Sequence, residues 1–493
     1  MQKNNTEKGN TMDNSFFSSM DTQPHAFLFA GQSTPWTSTV DEAAQNSRLL
    51  EQLRAYDAAA EALLQPAATE LLTVYGRRLD LFSYASQSLI LGDARYAEVS
   101  VPGVVLAQLA ALLDSKELGM PFASGSFVRA AGHSQGLLST DIVDVLSRLA
   151  RGEISQAGAD AQITSILAVS RLIGAAGSRI AGAQGIVPVK DASPMLSVKG
   201  ATREQIEVLI SRIPERRGEI VIGVKNSRDN YVVSGYPEDL RKLETCINNE
   251  HKHQQKLREQ KVRGGSVFDP SAEYLEVSIP FHSPVLADAV ELVGRWADEC
   301  GIDGGYARRL ARAVLVDTVD WAAQIEGILS DYRAWKEAPA NGEGTDSGST
   351  DEPAASSEGS QRDGQTLWFI DYGPGVVAEK LTAALIEGTG AGVVSAASAG
   401  KRLDLATPGR TYKPAEDWSQ FAPHIVSTEA GDKVSTAFTR LTGRSPIMVA
   451  GMTPTTVEPD LPAAAANAGY WAELAGGGQV TEEVFDNNIA RLK

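Results

Sequence analysis

One pentapeptide constrains the fold of this chain more than any other segment, the glycine-flanked serine of GHSQG at residues 132–136. The six residues before it form a short segment compatible with a β-strand. An apolar pattern of helical spacing follows at Ile142, Val145, Leu146 and Leu149. Glycine on both sides of a serine lets two backbones pass closely while the hydroxyl projects from a sharp strand-to-helix turn. The segment therefore predicts a strand, a tight turn and a helix of an α/β sheet, with Ser134 at the turn. A serine held in this way is a nucleophile candidate, and an ordinary strand-helix turn without a chemical role is the alternative.

A serine hydroxyl is a weak nucleophile unless a base lies within hydrogen-bond reach. The chain has six histidines. His133 is next to the serine, and we expect its side chain to point away from the hydroxyl. His282 lies between two prolines at residues 280–284, which stiffen the backbone and can aim the ring. His282 is therefore the predicted base, and a histidine packed at a helix start is the alternative.

Five motifs occur in the order found in acyl-CoA:acyl-carrier-protein transacylases. They are FAGQS at 29–33, GHSQG at 132–136, Asn226 with VVSG at 232–235, PFHS at 280–283 and DYGPG at 371–375. Residues 24–400 thus resemble that family. With the GHSQG variant and the C-terminal segment, the chain is most similar to the N-terminal acetyltransferase region of a bacterial type I fatty acid synthase.

This resemblance implies a role for each matched position. Ser134 would accept an acyl group from acyl-CoA and pass it to the phosphopantetheine thiol of a carrier domain, with His282 as general base and then general acid. The backbone N–H groups of Gln32 and Gln135 would form the oxyanion hole, because two fixed donors stabilise a developing charge without reorganisation. A turn residue is the alternative for Gln32. Asn226 would lie near the pocket, or serve the turn that follows it.

Substrate preference depends on a position in the helix after the nucleophile's own helix. Malonyl-selective relatives carry an arginine there, whose guanidinium clamps the free carboxylate. In this chain Ala168 aligns with that position, and Arg171 lies about one turn further on. An unpaired carboxylate would be disfavoured, so the alignment favours acetyl; an alignment error of one turn would favour malonyl.

The group that orients the histidine departs from the family pattern. Relatives often have a glutamine before a Val-x-Trp segment, and residues 313–321 contain none. Either Asp317 or a main-chain carbonyl is left to hold the His282 ring.

Composition excludes several classes of partner. The chain has 493 residues, is 43% hydrophobic and carries a net charge of −17, without a long basic stripe. Nucleic acid and anionic membranes are therefore not expected partners, and no apolar run predicts a membrane span. Two cysteines, Cys246 and Cys300, form neither a disulfide framework nor a zinc site, which fits the cytoplasm.

The order of elements predicts an α/β transacylase fold with an α/β-hydrolase-like parallel-sheet core. Residues 23–193 and 280–400 form this core, and the first strand lies at 26–30. Helical patterns fill 38–118, with breaks expected near Gly76 and Pro102. From 194 to 279 the pattern βαββαβ indicates an inserted ferredoxin-like subdomain. We expect Ser134 and His282 in the cleft between the two parts.

Polar segments separate or flank these parts. Residues 1–22 read as a disordered tail, 337–365 as a disordered insertion and 401–440 as a linker. Residues 248–265 are locally basic, which indicates a solvated face, or alternatively contact with CoA phosphates or an acidic carrier. His251 and His253 are discounted as a metal pair because no further ligand cluster lies nearby, so no metal is expected.

The last fifty residues have a βαβ pattern that suggests the start of a parallel barrel. Residues 441–493 resemble the opening of the FMN-binding enoyl reductase barrel that follows the acetyltransferase in type I fatty acid synthases. They read as a truncated stub, because such a barrel needs about 250 residues. Gly451 and Met452 would contact FMN only in a complete barrel, and the transferase itself needs no cofactor.

These inferences lead to one preferred function. The chain is expected to transfer acetyl from acetyl-CoA to an acyl carrier protein domain through acyl-Ser134, within a type I fatty acid synthase that is a homo-oligomer as a full chain. The alternatives are a malonyl/palmitoyl transacylase of the same system, an α/β-hydrolase-type thioesterase and a non-catalytic scaffold domain.

Overall fold

A computed structural model describes residues 15–31, 35–43, 46–75, 79–86, 96–189, 191–259, 269–337, 365–399, 422–428 and 431–492. The chain divides into two compact units, Met1–Thr411 and Tyr412–Lys493. The strands of the first unit are β1 His25–Phe29, β2 Phe127–Gly132, β3 Met195–Lys199, β4 Val221–Lys225, β5 Asn230–Ser234, β6 Ser271–Tyr274, β7 Val319–Asp320, β8 Trp368–Asp371 and β9 Gly392–Ser395.

The helices of the first unit vary from one turn to 28 residues. They are α1 Ser15–Ser19, α2 Trp36–Ala43, α3 Ser47–Leu63, α4 Ala68–Tyr75, α5 Leu81–Ser86, α6 Ala97–Glu117, α7 Leu137–Ala150, α8 Gln156–Ala183, α9 Arg203–Ser211, α10 Pro237–Glu259, α11 Ala287–Glu299, α12 Gly304–Leu315, α13 Trp321–Glu337, α14 Val377–Ala383 and α15 Ala396–Ala399.

A parallel sheet forms the centre of the first unit. Its described strands have the order β2-β1-β8-β9, and each neighbouring pair is parallel. Alternate side chains of β1 enter two different hydrophobic clusters, with Phe27 and Phe29 on one face and Ala26 and Leu28 on the other. Both faces are covered by helices, as parallel sheets require. The predicted mixed α/β class with a parallel-sheet core is confirmed.

The inserted segment forms a second sheet of order β6-β3-β5-β4-β7 among the described residues. Its first four strands are antiparallel neighbours and follow the chain order βαββαβ of the ferredoxin-like motif. One face, with Leu196 and Val233, packs against α9 and α10 in a separate cluster. The other face, with Met195 and Val232, joins the large core cluster. We call β3–β6 with α9 and α10 the ferredoxin-like subdomain.

Two long apolar helices lie inside this fold. By length and hydropathy alone, α6 and α8 could cross a membrane, yet 83% and 72% of their apolar windows are buried within the protein. Burial of their middle turns on all sides explains the apolar composition there, because a helical segment that is apolar all round belongs to the core of a globular domain. Pro102 lies inside α6 and does not end it, so the break predicted there is wrong; the break predicted near Gly76 falls outside the described residues.

Two predicted segment boundaries also need correction. The disordered tail predicted over residues 1–22 is wrong for its last part, since α1 buries Phe16 and Phe17 in the core and Met20 follows them. Residues 1–14 lie outside the described residues. The last strand of the subdomain predicted over 194–279 ends at Tyr274. The insertion predicted over 337–365 lies outside the described residues apart from its two ends.

The second unit contains a hairpin and a small βαβ arrangement. Its elements are β10 His424–Thr428, β11 Gly431–Ser435, α16 Ala437–Thr442, β12 Met448–Val449, α17 Asp460–Asn467, β13 Trp471–Ala472 and α18 Glu482–Leu492. The hairpin occupies part of the predicted linker 401–440, which is therefore not a plain linker. Strands β12 and β13 are parallel and α17 lies between them in the chain, as the βαβ pattern predicts.

Candidate active site

The glycine-flanked serine lies on a strained turn between β2 and α7. Ser134 has φ +56°, a left-handed conformation that is uncommon outside glycine, and it starts a short 3-10 turn, Ser134–Gly136. A Cβ at Gly136 would collide with the Phe29 carbonyl oxygen, and one at Gly132 would collide with the backbone of Leu137. Glycine is needed at both flanks because the backbones cross at contact distance. The turn therefore holds the serine at the carboxyl edge of the parallel sheet.

The structure brings Ser134 and His282 together, although 148 residues separate them. The Oγ of Ser134 lies 2.7 Å from Nε2 of His282, and both residues are buried, with 7% and 2% of their surfaces exposed. This distance is within the range of a hydrogen bond between a nucleophile and its base. The pair can therefore transfer a proton directly.

A main-chain carbonyl fixes the tautomer of the His282 ring. Nδ1 of His282 lies 2.7 Å from the carbonyl oxygen of Asp317. A carbonyl oxygen only accepts hydrogen bonds, so Nδ1–H is the donor, and Nε2 is left to accept from the Ser134 hydroxyl. Of the two groups that the sequence left open, the main chain is the one in contact; the Asp317 carboxylate pairs with Arg312 at 3.2 Å.

Burial keeps the His282 ring neutral. Loss of solvent lowers the pKa of His282 to about 4, the bond to the Asp317 carbonyl opposes this shift, and nearby His133 adds to it. At pH 7 the ring therefore carries no charge and its Nε2 lone pair is available. A neutral imidazole is the state that a general base needs before the reaction.

His133 points away from the nucleophile and spans to the ferredoxin-like subdomain. Its Nε2 lies 2.8 Å from Oδ1 of Asn226, just after β4. The amide of Asn226 donates through Nδ2 to Asn230, so its Oδ1 faces His133 and the imidazole N–H is the donor. Burial lowers the pKa of His133 as well. Asn226 thus lies next to the predicted pocket and also serves the turn between β4 and β5.

The predicted oxyanion hole is described only in part. Gln135 follows the nucleophile in the 3-10 turn and is fully buried, so its backbone N–H lies next to Ser134 at the start of a helix. Gln32 lies outside the described residues. Its neighbour Gly31 packs against the nucleophile turn, where a Cβ would lie 2.7 Å from Cβ of Ser134.

Arg171 is engaged with an acidic partner on another helix. Its Nη2 lies 2.5 Å from Oδ1 of Asp57 in α3, and its side chain is 4% exposed. Arg171 also lines a cavity of about 330 Å³ between α3, α4 and α8 whose described lining includes neither Ser134 nor His282. Ala168, one turn earlier in α8, is fully buried.

The other predicted sites carry simpler contacts. In the second unit, the N–H of Gly451 donates to Glu473 and that of Met452 to Thr456. His251 contacts Asp269 at 2.6 Å in the first unit. In the part of the chain that the structure describes, no cluster of three or more His, Cys, Asp or Glu residues could hold a metal ion.

Sequence reasoning missed three residues that contact the predicted site residues or the segments that carry them. Asp57 lies in an ordinary helical pattern, so nothing marked it as the partner of Arg171. Gly223 and Ser234 both contact the segment that carries His282. Ser234 stands in the VVSG motif, which gave a signal for the position but not for what its hydroxyl does.

Comparison with known proteins places the chain beside fatty acid synthases. Residues 194–274 match the family described as "Fatty acid synthase central AT domain". Fatty acid synthase beta subunit hexB of Dothistroma septosporum is 27% identical over 349 residues, or 61% of this chain and 16% of the relative. The beta subunits of Saccharomyces cerevisiae and Aspergillus oryzae are 29% and 28% identical, over 58% and 97% of this chain. The chain spans 14% and 24% of those two relatives.

Solved structures of transacylases also align. The malonyl CoA-acyl carrier protein transacylase of Clostridium perfringens is 16% identical, with a TM-score of 0.47 over 76% of this chain and 92% of its own. That of Coxiella burnetii is 16% identical, with a TM-score of 0.47 over 78% and 96%. By sequence, the chain is similar to the acyltransferase region of fatty acid synthase beta subunits.

Proposed function

We propose that this chain is an acyltransferase that moves an acetyl group from acetyl-CoA to the phosphopantetheine thiol of an acyl carrier protein domain. The observation that carries the proposal is the buried hydrogen bond of 2.7 Å between Ser134 and His282. The similarity of the chain to fatty acid synthase beta subunits supports the reaction class, and the five ordered motifs that resemble those of acyl-carrier-protein transacylases support the acceptor.

The first half-reaction acylates the serine. Ser134 Oγ attacks the thioester carbonyl carbon while Nε2 of His282 takes the hydroxyl proton, and negative charge develops on the carbonyl oxygen. The N–H of Gln135 would stabilise that oxyanion. When the C–S bond breaks, the CoA sulfur takes the proton back from Nε2, and acetyl-Ser134 remains.

The second half-reaction is the reverse on a different thiol. The phosphopantetheine thiol gives its proton to Nε2 of His282 and its sulfur attacks the acetyl carbon. The C–O bond then breaks and Ser134 Oγ regains the proton from Nε2. The same base serves both halves because each begins with a neutral ring and ends with one, which the burial of His282 favours.

Acetyl is the preferred group because the candidate clamp has another partner. A malonyl carboxylate would need a cation in the pocket, since an unpaired buried charge is strongly disfavoured. The guanidinium of Arg171 pairs with Asp57, and Ala168 offers only a methyl group. An acetyl group needs no such partner.

The setting of the reaction is proposed with it. The partners would be acetyl-CoA, a carrier domain and the remaining domains of a bacterial-type fatty acid synthase, which forms a homo-oligomer as a full chain in the cytoplasm. The transferase would need no cofactor. Residues 441–493 would open a parallel barrel, but the N–H groups of Gly451 and Met452 are bonded within the chain and do not fit as free donors for FMN.

The test is retention of a radiolabelled acetyl group. Brief exposure of the protein to labelled acetyl-CoA should leave label on Ser134, and added pantetheine should remove it faster than water does. A folded Ser134→Ala variant should retain none. Label retained at the wild-type level by that variant would refute the assignment, and release to water at the rate of transfer would indicate a thioesterase.

A further inference from the structure

We propose that Ser234, with Gly223 beside it, positions His282 for proton transfer, so that the ferredoxin-like subdomain aligns the base against a nucleophile held by the other sheet. Ser234 is a positioning residue here and touches no reacting atom. The inference rests on the proposed function for its chemistry, and on contacts of the described residues for its geometry.

The backbone of His282 needs an external hold. Its φ is +58°, in the left-handed region that non-glycine residues adopt only at an energetic cost. Such a conformation persists only where the surroundings determine it. The φ angle of His282 is the rotation about its N–Cα bond relative to the peptide group between Phe281 and His282. A hydrogen bond that holds this peptide group in place therefore restrains the direction in which the ring points.

Ser234 supplies that bond from β5. Its Oγ–H donates to the carbonyl oxygen of Phe281 at 2.6 Å, and both residues are buried. A hydrogen bond of this length in the interior is directional and costly to leave unmade, because the Phe281 carbonyl has no access to water. Ser234 therefore restrains the peptide group that precedes the base.

Gly223 lets β4 lie directly against the same segment. A Cβ on Gly223 would stand 2.8 Å from both Cβ and the carbonyl oxygen of His282, and 3.4 Å from Oγ of Ser234. The pairing of β4 with β5 shifts register between Ile222 and Val224, at this glycine. The absent side chain and the irregular strand thus make room for the left-handed residue.

The same sheet also holds the partner of the ring nitrogen. Strand β7 pairs in parallel with β4, and Lys225 and Asp320 form an ion pair of 2.8 Å across them. Asp317, whose carbonyl accepts from Nδ1 of His282, lies two residues before β7. Backbone and ring of the base are therefore both tied to neighbouring strands of one sheet.

The test measures activation of Ser134 without using acyl-CoA. A serine-directed fluorophosphonate reacts with Ser134 only when His282 can take its proton, so its rate constant reports the alignment of the two groups. The variants are Ser234→Ala, and Ser234→Cys, which keeps the volume with a weaker donor. Ser197→Ala is the control, because Ser197 is also a buried serine on the same face of this sheet.

We expect Ser234→Ala to lower the rate constant at pH 7 by about tenfold or more, since small misplacements of a reacting group have effects of that size. We also expect the fall of this variant's rate constant at low pH to begin at a higher pH than in wild type, because a less restrained His282 ring is more exposed to solvent. Ser234→Cys should fall between Ser234→Ala and wild type, and Ser197→Ala should stay within about twofold of wild type.

Rates within twofold of wild type at every pH for both Ser234 variants would overturn the positioning role. An equal loss in Ser197→Ala would overturn it too, because the effect would then belong to the sheet in general. A wild-type protein that reacts with the fluorophosphonate but is not acetylated by acetyl-CoA would refute the proposed function alone. Wild-type protein inert to the reagent would refute both.

Discussion

Replacing Arg171 distinguishes two roles for this residue, a cation that stabilises the fold and a group that binds the substrate carboxylate. In the structure its guanidinium is bound to Asp57 and its side chain is 4% exposed, while the Asp57 side chain is 14% exposed. Burial raises the pKa of Asp57, and Arg171 opposes that shift. Arg171→Ala would therefore leave a carboxylate with little solvent and without its cation.

The expected loss is about 3–5 kcal/mol in the free energy of unfolding, the range measured when one partner of a buried ion pair is removed. Arg179→Ala is the matched control on the same helix. Arg179 contacts Glu70 at 3.1 Å, but these two side chains are 44% and 40% exposed. An ion pair as exposed to solvent as this one contributes about 0–1 kcal/mol to the free energy of unfolding. The control variant should therefore have nearly the stability of wild type.

Two assays on the same protein complete the test. Urea unfolding gives the stability of each variant, and competition between acetyl-CoA and malonyl-CoA for Ser134 gives the selectivity. We expect Arg171→Ala to lose stability while the ratio of acetyl to malonyl labelling stays within about twofold of wild type. The reason is that a guanidinium paired with Asp57 does not contact the acyl group and so does not select between substrates. Unchanged stability with a shifted ratio would refute this reasoning and restore Arg171 as a substrate contact.

Three further predictions follow from the described contacts. The rate constant for acylation should be nearly constant from pH 8 down to about pH 5, because burial lowers the pKa of His282 to about 4; a fall centred near pH 6.5 would contradict this. Gly136→Ala should destabilise the fold by roughly 2 kcal/mol or more, since its Cβ would strike the Phe29 carbonyl, whereas Gly125→Ala, with open space around it, should unfold at the wild-type urea concentration. Burial also lowers the pKa of His25 to about 4, so the unfolded state takes up its proton first and stability falls as pH drops from 6.5 towards 4. Urea unfolding at pH 6.5 and pH 5 should show this loss, about 2 kcal/mol for His25, and an equal slope in His25→Phe would count against it.

Local sequence predicted the parts of the fold that depend on local rules. The glycines at 132 and 136 gave the strand-turn-helix of the nucleophile because close backbone crossing admits no Cβ. The alternating strands and helices from 194 to 279 gave the ferredoxin-like order, since both periodicities are visible within short windows. Ser134 and His282 were predictable as a pair because few other side chains could supply the chemistry.

Features set by tertiary contact were not predictable in the same way. Helix α1 has only five residues, and its burial depends on a core formed by segments distant in the sequence. The polar residues around it in the sequence therefore gave no sign of a buried helix. Pro102 is tolerated within α6 although proline usually interrupts a helix. The group that holds the His282 ring is a backbone carbonyl, and every residue has one, so the sequence could offer a main-chain carbonyl as an alternative but could not identify it as that of Asp317.

The two reacting residues belong to different supports, and this determines how the site can fail. Ser134 is held at the edge of the parallel sheet, whereas His282 is tied to β4, β5 and the segment before β7. Both have left-handed backbones, which the surrounding packing must maintain. The hydrogen bond from His133 to Asn226 spans the same boundary. A change that shifts one sheet against the other by about an ångström would break the 2.7 Å contact but would leave the residues of both sheets buried in the large cluster that they share. Substitutions at this boundary should therefore lower acylation far more than they lower the free energy of unfolding.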